Sequence, residues 1–281
     1  MHSARTQFFG LDSVLLKAPD GATAIVTCYG AQVVSWRPMG HNERLFLSPK
    51  SALNKVSPIR GGVPVVFPQF ATYGSLPHHG LVRTRDWRVV VVDIGEHDAR
   101  ATFRLEDSSD TRKVWPHAFA CELSVAVSGV RLELQLRIEN PGPRPFDFCA
   151  ALHTYLRVTD IHEVRLEGLS GVRYRDRTDH DREIVDSAHP LTIRAEVDRI
   201  YVDAPNQLVV RERGRSLSVH ANGFPDVVVW NPWKDKCALL DDMPNDAYQH
   251  MLCVEAAAVG TRVTLGRGGS WTGGQMLIAS N

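Results

Sequence analysis

Between Arg131 and Glu139 the chain alternates strictly, with Leu132, Leu134, Leu136 and Ile138 set against Arg131, Glu133, Gln135, Arg137 and Glu139. A period of two places the apolar set on one side of a pleated ribbon, so this segment predicts a strand with one dry face. The pattern recurs at Ala24, Val26 and Cys28, at Ala101, Phe103 and Leu105, and at Cys121, Leu123, Val125 and Val127. Turn signals separate these runs: Ala18-Pro-Asp-Gly21, Arg37-Pro-Met-Gly40, Ser128-Gly129 and Asn140-Pro-Gly-Pro143. Further strands are expected at 161–166, 207–212, 217–220, 226–230, 251–256, 262–265 and 275–278. Helical periodicity never exceeds about two turns, and 241–250 is the stretch expected to hold a short helix. Short strands with regular punctuation and no fixed-period repeat predict an all-β fold, a large antiparallel β-sandwich with few short helices. With no composition shift to mark a linker, the expectation is one domain over residues 1–281.

Composition narrows the function. Lys+Arg and Asp+Glu balance at 32 each and hydrophobic residues make up 43%, which argues against disorder, against nucleic acid and against an anionic surface as partner. No apolar run reaches the roughly 18 residues of a membrane helix, and Met1 to Phe9 lacks the apolar stretch of an export signal, so no membrane and a cytoplasmic location are expected. The five cysteines are an odd, widely spaced set without a C-x-x-C pair. Cys28, Cys121, Cys149 and Cys253 lie in apolar runs, as reduced buried thiols of a cytosolic protein do. The same features suggest a monomer or weak dimer.

The chemistry starts at Cys149-Ala-Ala-Leu-His-Thr-Tyr-Leu-Arg-Val-Thr-Asp-Ile161, which sets His153 in an apolar, strand-forming run. An imidazole there is either a satisfied core group or an acid or base. Glu255 ends the apolar run Met251-Leu-Cys-Val-Glu255; desolvation would raise its pKa toward that of a neutral-pH base, whereas a salt-bridged strand end would leave it structural. Arg60-Gly-Gly-Val-Pro-Val-Val-Phe-Pro-Gln-Phe70 reads as a tightly held loop. Arg60 and Arg83 flank it with planar donor forks suited to phosphate or carboxylate, although composition alone favours two ordinary surface arginines. His78 and His79 are adjacent; on extended backbone they would point apart, and with no H-x-H or H-E-x-x-H pattern in the chain no metal is expected. Trp230-Asn-Pro-Trp233 offers indoles for sugar stacking or for packing. The mixed-charge stretch 165–182 reads as a solvated loop, with a loop overhanging the site as the alternative.

Six segments, in order over about residues 10 to 280, resemble the aldose 1-epimerase superfamily, also called galactose mutarotase-like, and within it the branch acting on hexose 6-phosphates. They are Arg60 to Phe70, His79-Gly-Leu-Val-Arg83, Ala151-Leu-His-Thr-Tyr-Leu156, Glu196-Val-Asp-Arg-Ile-Tyr201, Val228-Val-Trp-Asn-Pro-Trp233 and Met251 to Ala256. The resemblance implies a supersandwich whose concave face holds the sugar. It implies His153 as general acid and Glu255 as general base, with Arg60, Arg83, His78, His79 and Asp198 as substrate contacts and no cofactor. The branch usually has glutamine where this chain has His78, and Phe-Ala where it has Leu-Val before Arg83. A mutarotase for unphosphorylated aldoses and a silent carbohydrate-binding module remain the rival readings.

Overall fold

The structure, a computed structural model, describes residues 4–280. Among these residues it forms antiparallel sheets joined by short helical turns. One eight-stranded sheet carries the amphipathic strands: Ala99–Glu106, Ala120–Ser128, Arg131–Glu139 and Ser270–Ser280 are consecutive neighbours within it. Leu132, Leu134, Leu136 and Ile138 are fully buried while Arg131, Glu133, Gln135 and Arg137 face water, as the alternation predicts. A four-stranded sheet begins with Arg5–Phe8 and Leu11–Lys17.

The other eight-stranded sheet carries the chemistry. Its order runs Arg182–Val185, Arg173–Asp176, Val197–Tyr201, Asp226–Asn231, Met251–Leu265, Phe146–Leu152 and Val65–Val66, with Tyr155–Arg157 also paired to Met251–Leu265. Along Met251–Leu265 the even residues Val254, Ala256 and Ala258 join the main core, whereas Cys253 and Ala257 belong to smaller apolar clusters on the opposite face. Both faces are thus covered from Met251 to Val259, so this part of the strand reads as a nearly unbroken apolar run rather than an alternating one.

Two expectations need correcting. Residues 161–166 are not one strand: Ile161–Glu163 is a 3₁₀ turn that Asp160 caps by accepting from the His162 N–H, and a strand follows at Arg165–Glu167. Residues 251–256 and 262–265 are parts of the single strand Met251–Leu265. Beyond the 3₁₀ turn Ala247–His250, inside the expected helical stretch, there are one-and-a-half-turn helices at Ser109–Val114 and Trp233–Ala238. The first has a reciprocal Ser108 and Thr111 capping box, a local signal legible in the sequence.

Candidate active site

Two cross-strand rows build the site. Asp198 pairs with Trp230, Trp230 with Cys253, and Cys253 with Tyr155. Two residues along, Ile200 pairs with Val228 and Val228 with Glu255. Leu152 pairs with Ala256 and Tyr155 with Cys253, so the same register sets His153 opposite Glu255. Directly opposed side chains stand about 5 Å apart at Cβ, and the His153 Nε2 to Glu255 Oε1 distance is 3.3 Å. The pair is therefore in direct contact, where a catalytic pair would be expected to stand a sugar ring apart.

The glycine loop fixes this row. Gly61 and Gly62 have φ of +118° and +62°, and a Cβ on them would lie 2.4 Å from the Phe46 carbonyl oxygen and 2.1 Å from that of Val33. Only glycine fits both conformation and space. Beyond them, His153 N–H donates to the Pro64 carbonyl at 3.0 Å and Tyr155 N–H to that of Gly62 at 2.9 Å. The strict loop and the imidazole backbone are thereby one hydrogen-bonded unit.

The rows floor a cleft of about 420 Å³, walled by Arg60, His78, His79, Arg83 and Arg177 and extended by Lys236 and Phe70, within the usual size of small-ligand pockets. Every residue expected at the site, from Arg60 and His78 through His79, Arg83, His153, Asp198 and Glu255, lines this one cavity. The opposed orientation expected of His78 and His79 is overturned: His79 has φ of +63°, so the backbone turns instead of extending, and the two rings meet at 4.0 Å between centroids. His79 in turn sits edge-on to His153 at 5.2 Å.

Electrostatics sort the groups. Burial, then the nearby Asp198 charge, push the Glu255 carboxyl well above its ordinary pKa, with Arg177 opposing. Burial, then Arg60 and Arg83, hold His153 below its own, down to about 3. Among the described residues, Glu255 Oε2 and His153 Nδ1 are buried with no hydrogen-bond partner. Burying such groups unsatisfied costs free energy that a structural role would not need.

Most of the cleft's cations are paired. Arg60 Nε lies 3.0 Å from Asp242 Oδ2, Arg177 Nη1 3.2 Å from Asp198 Oδ2, and Lys236 Nζ 2.6 Å from Glu196 Oε1. Arg60 also donates to the Tyr155 hydroxyl at 3.1 Å. Arg83 differs: among the described residues no carboxylate pairs with it, and its Nη2 donates to the His78 carbonyl at 2.7 Å. Burial and the like charge of Arg60 draw its pKa down to about 10, still protonated at neutral pH but short of negative charge.

His153, Cys253 and Glu255 bring donor atoms within 4.8 Å of one another. Burial and then Glu255 hold the Cys253 thiol well above its ordinary pKa, whereas a metal takes the thiolate. The set is better suited to moving protons beside an inert thiol. All five cysteines are free, four of them buried and Cys28 partly so.

Four further lining or bracing residues escape the sequence patterns. Tyr155 stands two residues from His153 on the same strand face, a relation that period-two reasoning can find. Arg177, Lys236 and Asp242 carry no such signal, because each reaches the cleft from a turn or helix. The 165–182 stretch is not one loop, since Arg165–Glu167 and Arg173–Asp176 are strands, but the turn after the second overhangs the cleft: the Arg177 guanidinium lies 5.3 Å from the Tyr73 ring centre and 5.9 Å from that of Phe70.

Comparison with known proteins bears on the family and the fold. The family model for aldose 1-epimerase matches residues 12–277. A Cenchrus ciliaris protein provisionally named glucose-6-phosphate 1-epimerase is 36% identical over 94% of this chain and 83% of its own length. An Escherichia coli protein of the same provisional name is 32% identical over 90% and 85%. The crystal structure of YeaD from Salmonella typhimurium, provisionally a mutarotase, superposes with a TM-score of 0.91 at 28% identity, covering 99% of this chain and 93% of that one. A galactose mutarotase-like protein from Clostridium acetobutylicum, 14% identical with a TM-score of 0.76 over 99% and 98%, shares the fold.

Proposed function

The chain belongs to the aldose 1-epimerase family, and from that premise we propose that it interconverts the α and β anomers of a hexose 6-phosphate, glucose 6-phosphate foremost. The observation that carries the substrate class is Arg83, a cation of the cleft without a carboxylate, standing with Arg60 beside the His153 and Glu255 pair. A phosphate supplies the negative charge this corner lacks, and the guanidinium fork binds it in two-pronged geometry.

Proton accounting supports the chemistry. The reaction needs Glu255 ionised and His153 protonated, which is the same single proton moved across their contact. Burial first, and then the Arg60 and Arg83 charges, keep it off His153 in the empty cleft; a bound phosphate offsets the second of these and so favours the protonated imidazole. Glu255 then takes the proton of the anomeric hydroxyl, His153 donates to the ring oxygen, and the C1–O5 bond opens to the aldehyde. Rotation about C1–C2 and reclosure with the roles reversed gives the other anomer. Two positioned proton-transfer groups contribute about 10² to 10⁴ in rate, and both anomers already exchange unaided, so this suffices. His79, Asp198 and Trp230 are left to contact the sugar. The five free thiols fit a reducing, cytoplasmic setting.

Exchange NMR on the anomers of glucose 6-phosphate tests the proposal. Acceleration over buffer is expected, and none would overturn it. Arg60→Ala with Arg83→Ala should weaken kcat/KM for the 6-phosphate by roughly 10²-fold or more, the worth of charge-assisted hydrogen bonds, and affect free glucose far less. Equal losses would move the assignment to unphosphorylated aldoses; saturable binding without acceleration would make the protein a binding module.

A further inference from the structure

Arg177 is tied to Asp198 three times: its main-chain N–H donates to the Asp198 carbonyl at 2.8 Å, and Nη1 reaches Oδ1 at 3.3 Å and Oδ2 at 3.2 Å. Behind it, Tyr73 donates to Asp181 at 2.7 Å. His180 and Asp181 hold φ of +52° and +57° without being glycine, an uncommon conformation for such side chains. The 176–182 turn and the Phe70 to Tyr73 loop are thus joined across the cleft through one guanidinium. Asp198 itself is 7% exposed and Glu255 1%, so two carboxylates share a poorly hydrated floor with Arg177 as the nearest counter-charge.

We propose that Arg177 is a positioning residue for the proton transfer: it holds Asp198 in place and offsets its charge, and thereby sets the field in which Glu255 works as a base. This rests on the assignment of Glu255 as that base. Other charges do not substitute for it. Facing Glu255 are His153 and Tyr155 from the strand opposite, Cys253 on its own strand, and Asp198. Facing Asp198 besides Arg177 are Lys236, which is already held by Glu196 at 2.6 Å, and Glu196 itself. Arg177 lowers the pKa of both carboxylates, Asp198 against its burial and Glu255 against burial and Asp198. The two titrate together, and taking away the cation raises both.

The test is the pH profile of kcat/KM for glucose 6-phosphate, whose rising limb reports ionisation of the base. Arg177→Met should move that limb up by about one pH unit, the lower end of what a neighbouring opposite charge contributes. Arg177→Lys should keep it near the wild-type position. Asp198→Asn should move it down, because a like charge next to Glu255 is removed. A lower rate with an unmoved limb in Arg177→Met would reduce Arg177 to a structural brace and overturn the proposal. Failure of the underlying assignment is separable: wild type would then show no exchange, or the limb would survive in Glu255→Gln. Carboxyl ¹³C shifts of Asp198 and Glu255 follow the same titration without turnover. Upward movement in Arg177→Met supports the inference even if another sugar is the substrate, and unchanged shifts overturn it.

Discussion

Two carboxylates on adjacent strands, Asp226 and Glu255, are equally hidden, each 1% exposed, yet their surroundings are opposites. Asp226 accepts from the main-chain N–H groups of Val259 at 2.8 Å, Gly260 at 2.6 Å and Asp203 at 3.3 Å. Glu255 has one oxygen against His153 and the other against nothing. The first is a carboxylate whose burial is offset by fixed N–H donors; the second is left short, which is how an acid or base is kept reactive. The first also makes the second possible. Phe148 pairs with Val263 but Ala150 with Ala258, so a bulge intervenes, and Asp226 binds it at residues 259 and 260. Had the earlier register continued, 148 with 263 would carry 153 to 258, and His153 would face Ala258 in place of Glu255. A structural knot sets the register that brings the chemical pair together.

The sharpest way to break this contrast is Glu255→Gln. If the two carboxylates differ as described, anomer exchange should fall by about 10² to 10⁴-fold, the worth of a positioned proton-transfer group, with the chain still folded by circular dichroism. A variant that unfolds while the remaining folded fraction turns over normally would make Glu255 another Asp226. The converse substitution, Asp226→Asn, turns one accepting oxygen into a donor facing main-chain N–H groups. It should cost roughly 1.5–3 kcal/mol, the range for hydrogen bonds to charged groups, read from the denaturant midpoint, while exchange per folded molecule changes little. A loss of exchange exceeding the loss of stability would show that the bulge does more than hold register.

The same contrast explains what the sequence discloses. Strands with one wet face, such as Arg131–Glu139, are legible because polarity alternates with the pleat. The strand Met251–Leu265 is covered on both sides as far as Val259 and gives no alternation there, so its face assignment, and with it the meeting of His153 and Glu255, comes only from register. The six motif segments located His153, Glu255, Arg60 and Arg83 because they span the strands, the glycine loop and the 3₁₀ turn Val82–Thr84 that bring these residues to one cleft. Arg177 escaped because its meaning depends on Asp198, 21 residues away, and a mixed-charge turn looks the same whether it hangs over water or over a cleft. The adjacent His78 and His79 misled because a left-handed residue, invisible in the pattern, replaces the extended backbone assumed for them.

The smallest effect lies in stability against pH, and its sign separates Glu255 from His153. Glu255 has a folded pKa raised above its ordinary 4.5, so the folded state holds the proton longer, and its contribution is present at low pH and lost as pH rises from about 4.5 through the folded value. His153 is displaced the other way from 6.5: the unfolded chain takes up its proton first, so its contribution is present above about 6.5 and lost as pH falls toward the folded value. From about 4.5 up to the folded value of Glu255 the two slopes oppose each other. Glu255→Gln removes one slope and exposes the other. Relative to wild type, the variant's unfolding free energy should rise more steeply with pH over that interval. Parallel stability curves for the two proteins would mean that Glu255 carries no displaced proton, and the distinction from Asp226 would reduce to hydrogen-bond count.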